Sequence, residues 1–349
     1  MFVIAMGVVG ATAAWSQIPT PAGKTTGPGV QAANDSREPD VLKTCKVPPP
    51  ARGGRGPGRG PAPAATAVPR DYKVTEIPGV IAAGQQWKEI WKVDGNNADG
   101  IIAAKDGSLL TAQNDNSLVL KIEVNTGQTA TAYSGTNTGG SLAMNSKGAM
   151  FVANRGLNAS IEQLAPKRKT LADKYNGDSF DCIGGVLNDM AADSHGGVYF
   201  TVGGLFYADS KGKVTKYGDN LTTNGIILSA DEKHLFVTNG PTVAGFDVQK
   251  DGSLTNQKEF AKLEGGGNGD GSTFDTAGRL YVTTNPGVQV IGPDGKYLGI
   301  IPTPYGLISV AFAGADRKML YVVARDNAQN KDWILGIATI AQGPQGRGK

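Results

Sequence analysis

Residues 193–201 read DSHGGVYFT, a polar turn that runs straight into a short β-prone strand. The pattern returns as KDGSLLTA (105–112), NSKGAMFVA (145–153), ADEKHLFVT (230–238), DTAGRLYVT (275–283) and ADRKMLYVV (315–323). Six copies at intervals of roughly 40–50 residues mark a repeat architecture. A second β-prone run and another turn follow each copy, as in SLVLKIEVNTGQTATAY (117–133), LFYADSKGKVTKY (205–217), VAGFDVQKDGSLTNQKEF (243–260) and VQVIGPDGKYLGII (288–301). Their Asn-Thr-Gly, Lys-Gly, Lys-Asp-Gly and Pro-Asp-Gly turns are hairpin chemistry. A short run also precedes each copy, such as GIIAA (100–104) or SVAFA (309–313). That makes four strands per repeat, and no long stretch sustains the 3.6-residue period of a helix. The expected fold is all-β: a six-bladed β-propeller over residues 71–343. Ring closure calls for a strand from one end of the chain to complete a blade built by the other, and Tyr72–Ile77 (YKVTEI) is the candidate.

The first 70 residues differ in kind. Met1–Trp15 is apolar and small, too short to span a membrane, and fits the core of a secretory signal, so residues 1–17 are read as a signal peptide. Residues 18–70 are rich in Pro, Gly and Arg and poor in large apolar side chains, which predicts a disordered tether. Limited proteolysis is then expected to remove residues before about Asp71 and leave a stable core. Residues 1–70 carry a net charge of +5, and residues 71–349 carry −2. The folded part has no field that steers it to nucleic acid or an anionic membrane. The expectations are an exported protein, periplasmic or extracellular, with no membrane span and no nucleic-acid partner, and a monomer. Cys45 and Cys182 are free to pair in such a compartment, but the sequence does not decide whether they do. No CxxC pair offers a thiolate metal site.

Stepping back about ten residues from each LYV-type strand reaches the start of the innermost strand. Four copies place a polar residue there: Asp99, Asn188, Asn224 and Asp270. The other two give Gly140 and the neighbourhood of Ser309, which are expected to leave room for water or substrate. Equivalent positions of a propeller face the same end of its channel, so the four side chains should converge on the axis. Two carboxylates and two amides offer oxygen, the donor that hard cations take. One divalent ion is expected, Ca²⁺ first and Zn²⁺ or Mg²⁺ as alternatives.

The segments NGDSFDCIGGVLNDMAADSHGGVYFT (176–201), TTNGIILSADEKHLFVTN (222–239) and GNGDGSTFDTAGRLYVTT (267–284) resemble the gluconolactonase, senescence-marker-protein and luciferin-regenerating-enzyme family. The resemblance implies a six-bladed propeller with one divalent metal in its channel and hydrolysis of a lactone or ester. It implies that Asp270 and Asn224 are metal ligands, and that Asn188 contacts water, substrate or the metal. Two departures stand out. The family's usual Glu-Gly-Pro step is Asp99-Gly100-Ile101 here, and Val186-Leu187 replace the Arg-Pro that often precedes Asn-Asp.

Other hydrolytic chemistries find no support. The two histidines, His195 and His234, fall in polar turns at the far end of the innermost strands, and no GxSxG occurs. Both facts argue against a Ser-His-Asp hydrolase. GGGNGDG (265–271) lacks the dinucleotide pattern. What remains is metal-assisted hydrolysis, with Asp270 as ligand and base and Asn188 as a donor to the developing oxyanion. Asp189 is expected to point away from the channel in a structural role. The alternatives are a metal-stabilised propeller that binds without turnover and a strictosidine-synthase-like enzyme.

Overall fold

A computed structural model describes residues 32–47, 49 and 69–349. The expected signal peptide, residues 1–17, lies outside the described residues. Six four-stranded antiparallel sheets follow one another along the chain. Blade 1 covers residues 101–134, blade 2 residues 141–172, blade 3 residues 190–217, blade 4 residues 223–262 and blade 5 residues 272–302. Blade 6 takes three strands from residues 306–338 and its fourth from Lys88–Asp94. The first strands of the blades touch one another in a closed ring, each against the first strands of both neighbours. This is the six-bladed propeller that the repeat predicts.

Burial explains the order of strands within a blade. The first two strands of blade 1, Ile101–Ala103 and Leu109–Gln113, are buried along their whole length, and its last, Thr129–Ser134, is exposed or half-buried. Apolar side chains of adjoining blades pack between the sheets. Tyr199 and Leu205 of blade 3, for example, meet Ile226 and Val237 of blade 4. Among the described residues, no helix is long and apolar enough to cross a membrane.

Ring closure corrects the expected strand. Lys88–Asp94, not Tyr72–Ile77, completes blade 6, paired with Lys331–Ala338. Lys88–Asp94 is exposed or half-buried throughout, as an outer edge strand must be. The earlier segment turns back at Pro78-Gly79, where Gly79 has φ +69°, and it buries Val74 and Ile77 against blades 5 and 6. A Pro-Gly turn ends any strand that approaches it.

Residues 32–47 correct the expected tether within their bounds. Glu38–Leu42 is a short helix, Cys45 is disulfide-bonded to Cys182, and Lys46 Nζ donates to Asn176 O at 2.8 Å. A cross-link docks a segment that has little apolar surface to bury. A protease cut between Cys45 and Asp71 should therefore leave the earlier fragment attached, and reduction should release it on a gel.

Candidate active site

The innermost strands start from a ring of six residues: Asp99, Gly140, Asn188, Asn224, Asp270 and Ile308. The backbone N–H groups of Asp99, Gly140, Asn188 and Asp270 all donate to the same register position of the second strand, at Ala112, Ala153, Thr201 and Thr283. In blade 4 a bulge between Thr223 and Ile226 interrupts the ladder and re-aims Asn224. The glycine after the polar residue has its own cause. Gly100 N–H donates to Gly140 O at 2.7 Å and Gly271 N–H to Ile308 O at 2.9 Å, each in the next blade. A Cβ on Gly100 would lie 2.8 Å from that carbonyl, and one on Gly225 would collide with the Asp270 backbone. The Asp-Gly and Asn-Gly steps are therefore blade-to-blade contacts.

Asn188 and Asn224 meet directly, with the Asn188 amide donating to Asn224 Oδ1. Asp270 lies within electrostatic reach of Asp99 and Asp189. All four of the expected residues are half-buried. Asp99, however, is already engaged: its carboxylate pairs with the guanidinium of Arg155. Arg155 also donates to Leu187 O (2.6 Å), Asn188 O (2.5 Å) and Asn188 Oδ1 (3.2 Å). It lies so close to Gly140 that a Cβ there would overlap it. The space that Gly140 was expected to leave for water or substrate is thus filled by an arginine, and Ser309 is buried with its hydroxyl 3.4 Å from the Ile101 N–H.

Asp189 takes the place that glycine holds in blades 1, 4 and 5. It is buried, and its carboxylate accepts from Ser141 Oγ (2.7 Å), Met190 N–H (2.9 Å) and Ile226 N–H (3.0 Å), which ties three blades together. Lys349 supplies its countercharge. Arg155 and Lys349 were not singled out from the sequence. The signal for Arg155 was available: it stands two residues beyond Ala153, the register partner of the one glycine in the ring.

Burial, and then the nearby Asp99 and Asp189 charges, raise the Asp270 carboxyl to about 7. Arg155 and Lys349 act in the opposite sense and do not cancel this. In the folded chain Asp270 keeps its proton up to about pH 7, whereas in the unfolded chain it releases it near pH 4. The native state binds the extra proton across that window, so its metal-free stability falls as pH rises from about 4 to 7 and then levels off. Melting temperature measured against pH in chelator should show this decline, and saturating Ca²⁺ should flatten it.

Among the described residues, no three His, Cys, Asp or Glu side chains form a preformed metal cluster. The donor set here is of another kind: two amides and one carboxylate. Asn188, Asn224 and Asp270 fit a hard cation, because all three present oxygen and the Asp270 carboxyl forms no ion pair among the described residues. Asp99 fits only if it leaves Arg155. His195 and His234 are exposed, and His234 Nδ1 lies 3.3 Å from Asp247. Replacing either by Ala should change hydrolysis by less than twofold, the scale of a surface substitution, in a direct rate comparison.

Fold and register together define a six-bladed propeller whose innermost strands start from polar residues in four of the six blades. The profile of the SMP-30/Gluconolactonase/LRE-like region matches residues 98–325, and the chain belongs to this family. It is 25% identical over 213 residues to a gluconolactonase of Zymomonas mobilis, covering 52% of this chain and 59% of that protein. Thus the chain spans less than two thirds of that relative. A solved gluconolactonase from Xanthomonas campestris superposes with TM-score 0.64 at 19% identity, over 77% of this chain and 97% of the other. A protein from Agrobacterium tumefaciens described as calcium-binding regucalcin gives TM-score 0.58 at 18% identity, over 72% and 94%. These two structures share the fold.

Proposed function

We propose that the protein is a divalent-metal-dependent hydrolase of small lactones or related esters, working at the channel mouth where the innermost strands begin. One arrangement carries the reading: Asn188 and Asn224 are hydrogen-bonded to each other, Asp270 starts the next blade against Gly225, and its carboxylate forms no ion pair among the described residues. The Zymomonas relative's name supports a lactone substrate, and the Agrobacterium protein's description supports Ca²⁺. Asn188, Asn224 and Asp270 would hold the ion. Once bound, it would polarise the substrate carbonyl and favour ionisation of water.

The remaining chemistry belongs to the chain. Asp270 accepts a proton from the attacking water. The water oxygen bonds to the carbonyl carbon, the ring C–O bond breaks, and the proton passes to the departing alkoxide to give a hydroxy acid. The Asn188 amide stabilises the oxyanion. Arg155 holds the Leu187 and Asn188 carbonyls and so fixes the orientation of that amide. With Asp99 and Asp189 each paired to a cation, only Asp270 offers an unpaired carboxylate. Low ligand charge places Ca²⁺ affinity near the weak end, at a Kd of about 10⁻⁴–10⁻³ M.

Export is part of the same proposal. The apolar leader supports it, as does the Cys45–Cys182 disulfide, a bond that persists in oxidising compartments. The test of substrate class is a panel of lactones, aryl esters and peptides assayed with Ca²⁺, with Zn²⁺ and with chelator. Turnover confined to lactones and esters in the presence of metal is the expected outcome. An inert panel would leave a binding propeller.

A further inference from the structure

Residues 343–349 lie at the end where the innermost strands finish. Gly343 N–H donates to Arg317 O at 2.9 Å, and a Cβ at Gly343 would run into the Phe312 side chain. Gly348 and Met144 exchange two backbone hydrogen bonds, of 2.8 and 2.9 Å. A Cβ at Gly348 would press on Ile102 at 3.0 Å. Arg347 is buried. Its guanidinium donates to Ala192 O and to Ser229 O (3.1 Å) and pairs with Glu232 at 3.4 Å. Lys349 has a side chain only 5% exposed and ends on Asp189. Between this segment and the innermost strands remains a cavity of about 40 Å³, lined by Ile227, Phe274 and Val310 among others. That is room for a few waters.

The blades are adapted to this occupant. Four copies of the repeat place glycine at the left-handed position of the polar turn: Gly107, Gly148, Gly196 and Gly278. In blade 4 Glu232 stands there, at φ +57°, and in blade 6 Arg317, at φ +56°. A left-handed conformation costs a non-glycine residue roughly 1–2 kcal/mol. The Glu232 carboxylate takes Ser194 N–H (3.0 Å) and Oγ (2.8 Å) and receives Arg347. Asp189 likewise replaces glycine and receives Lys349.

We propose that residues 343–349 are a resident plug that makes the channel a one-mouthed pocket, and that Lys349 is a positioning residue. Its ammonium fixes Asp189 beneath Asn188 and opposes a cation at the candidate site. The plug stands on the contacts alone, and the role of Lys349 rests on the metal reading above. Substrate and product then share one mouth, and part of the site's weak cation affinity is built in by the chain.

The test uses the 349-residue chain, Lys349→Met, Lys349→Arg and a form lacking residues 344–349. Amide exchange at Met144 reads the plug, because its N–H donates to Gly348 O. Protection should hold in both Lys349 variants and fall at least a hundredfold in the shortened form. If the shortened form fails to fold, Gly348→Val, which clashes with Ile102, should produce the same loss. Unchanged protection in either overturns the plug. Calorimetric titration with Ca²⁺ alone reads Lys349. Removing a unit charge this close to the ligands should tighten Ca²⁺ roughly tenfold in Lys349→Met, while Lys349→Arg keeps the parent value. Loosening the fold would weaken binding instead, so unchanged or weaker Ca²⁺ binding in Lys349→Met overturns the positioning role. A parent that binds no Ca²⁺ removes the metal reading and that role together, while Met144 still decides the plug.

Discussion

Replacing Arg155 by Met is expected to destabilise the metal-free protein by about 3–5 kcal/mol, the range for breaking a buried ion pair from one side. The Arg155 side chain is 7% exposed and that of Asp99 15%, so water compensates little for the lost partner. The change also leaves Leu187 O and Asn188 O without the guanidinium that now donates to them. Met fills the space in front of Gly140 but brings no charge. The distinctive part is the response to Ca²⁺. Freed of Arg155, Asp99 becomes a second carboxylate for the ion, and more ligand charge means tighter binding. Denaturant midpoints should therefore show a large loss in chelator and a much smaller one in Ca²⁺. An equal loss in both conditions would mean that Asp99 is a structural partner of Arg155 and nothing more.

Asp270→Ala should separate function from stability in the opposite sense. Hydrolysis should fall by about 10²–10⁴-fold, the range for losing a general base, and Ca²⁺ binding should vanish from calorimetry with the one unpaired carboxylate. The same substitution removes a carboxyl whose ionised form burial and its neighbours disfavour. In chelator at pH 8 the variant should be at least as stable as the parent. A residue that merely supported the fold would not lose activity while holding or gaining stability. Asn188→Ala should differ from both. A neutral amide adds little attraction for a cation but serves the oxyanion, so kcat should fall by about 10²–10³-fold with a modest change in Ca²⁺ affinity.

The architecture was legible because its signal is local and repeated. A polar turn with glycine at φ +77° to +90° in four copies, followed by a short strand, carries the same information each time. The ring of polar residues was legible for a related reason. Strand pairing fixes register, so a constant offset from the second strand finds Asp99, Asn188 and Asp270, and it finds Asn224 once the one extra residue in the blade 4 turn is allowed for. The partners of that ring were harder to read. Arg155 matters because the opposing ring residue is glycine, a relation between two strands that periodicity does not display. Lys349 ends a segment of glycine, proline and polar residues without periodic pattern. Its place depends on backbone pairing of Gly348 with a strand about 200 residues away in sequence. Closure by Lys88–Asp94 was missed because Tyr72–Ile77 looks equally β-prone, and the Pro78-Gly79 turn decides between them. The disulfide spans 137 residues, and no local feature marks such a pairing.

The central claim is that a cation held by Asn188, Asn224 and Asp270 carries out ester chemistry at this mouth. The most direct test is the initial rate of lactone hydrolysis by the parent protein as a function of free Ca²⁺, set beside the calorimetric Kd for Ca²⁺ of the same preparation. No activity above background is expected in chelator, and the rate should rise hyperbolically with a half-saturation that coincides with that Kd. Hydrolysis that proceeds at the full rate in chelator, or that saturates far from the binding constant, would contradict it.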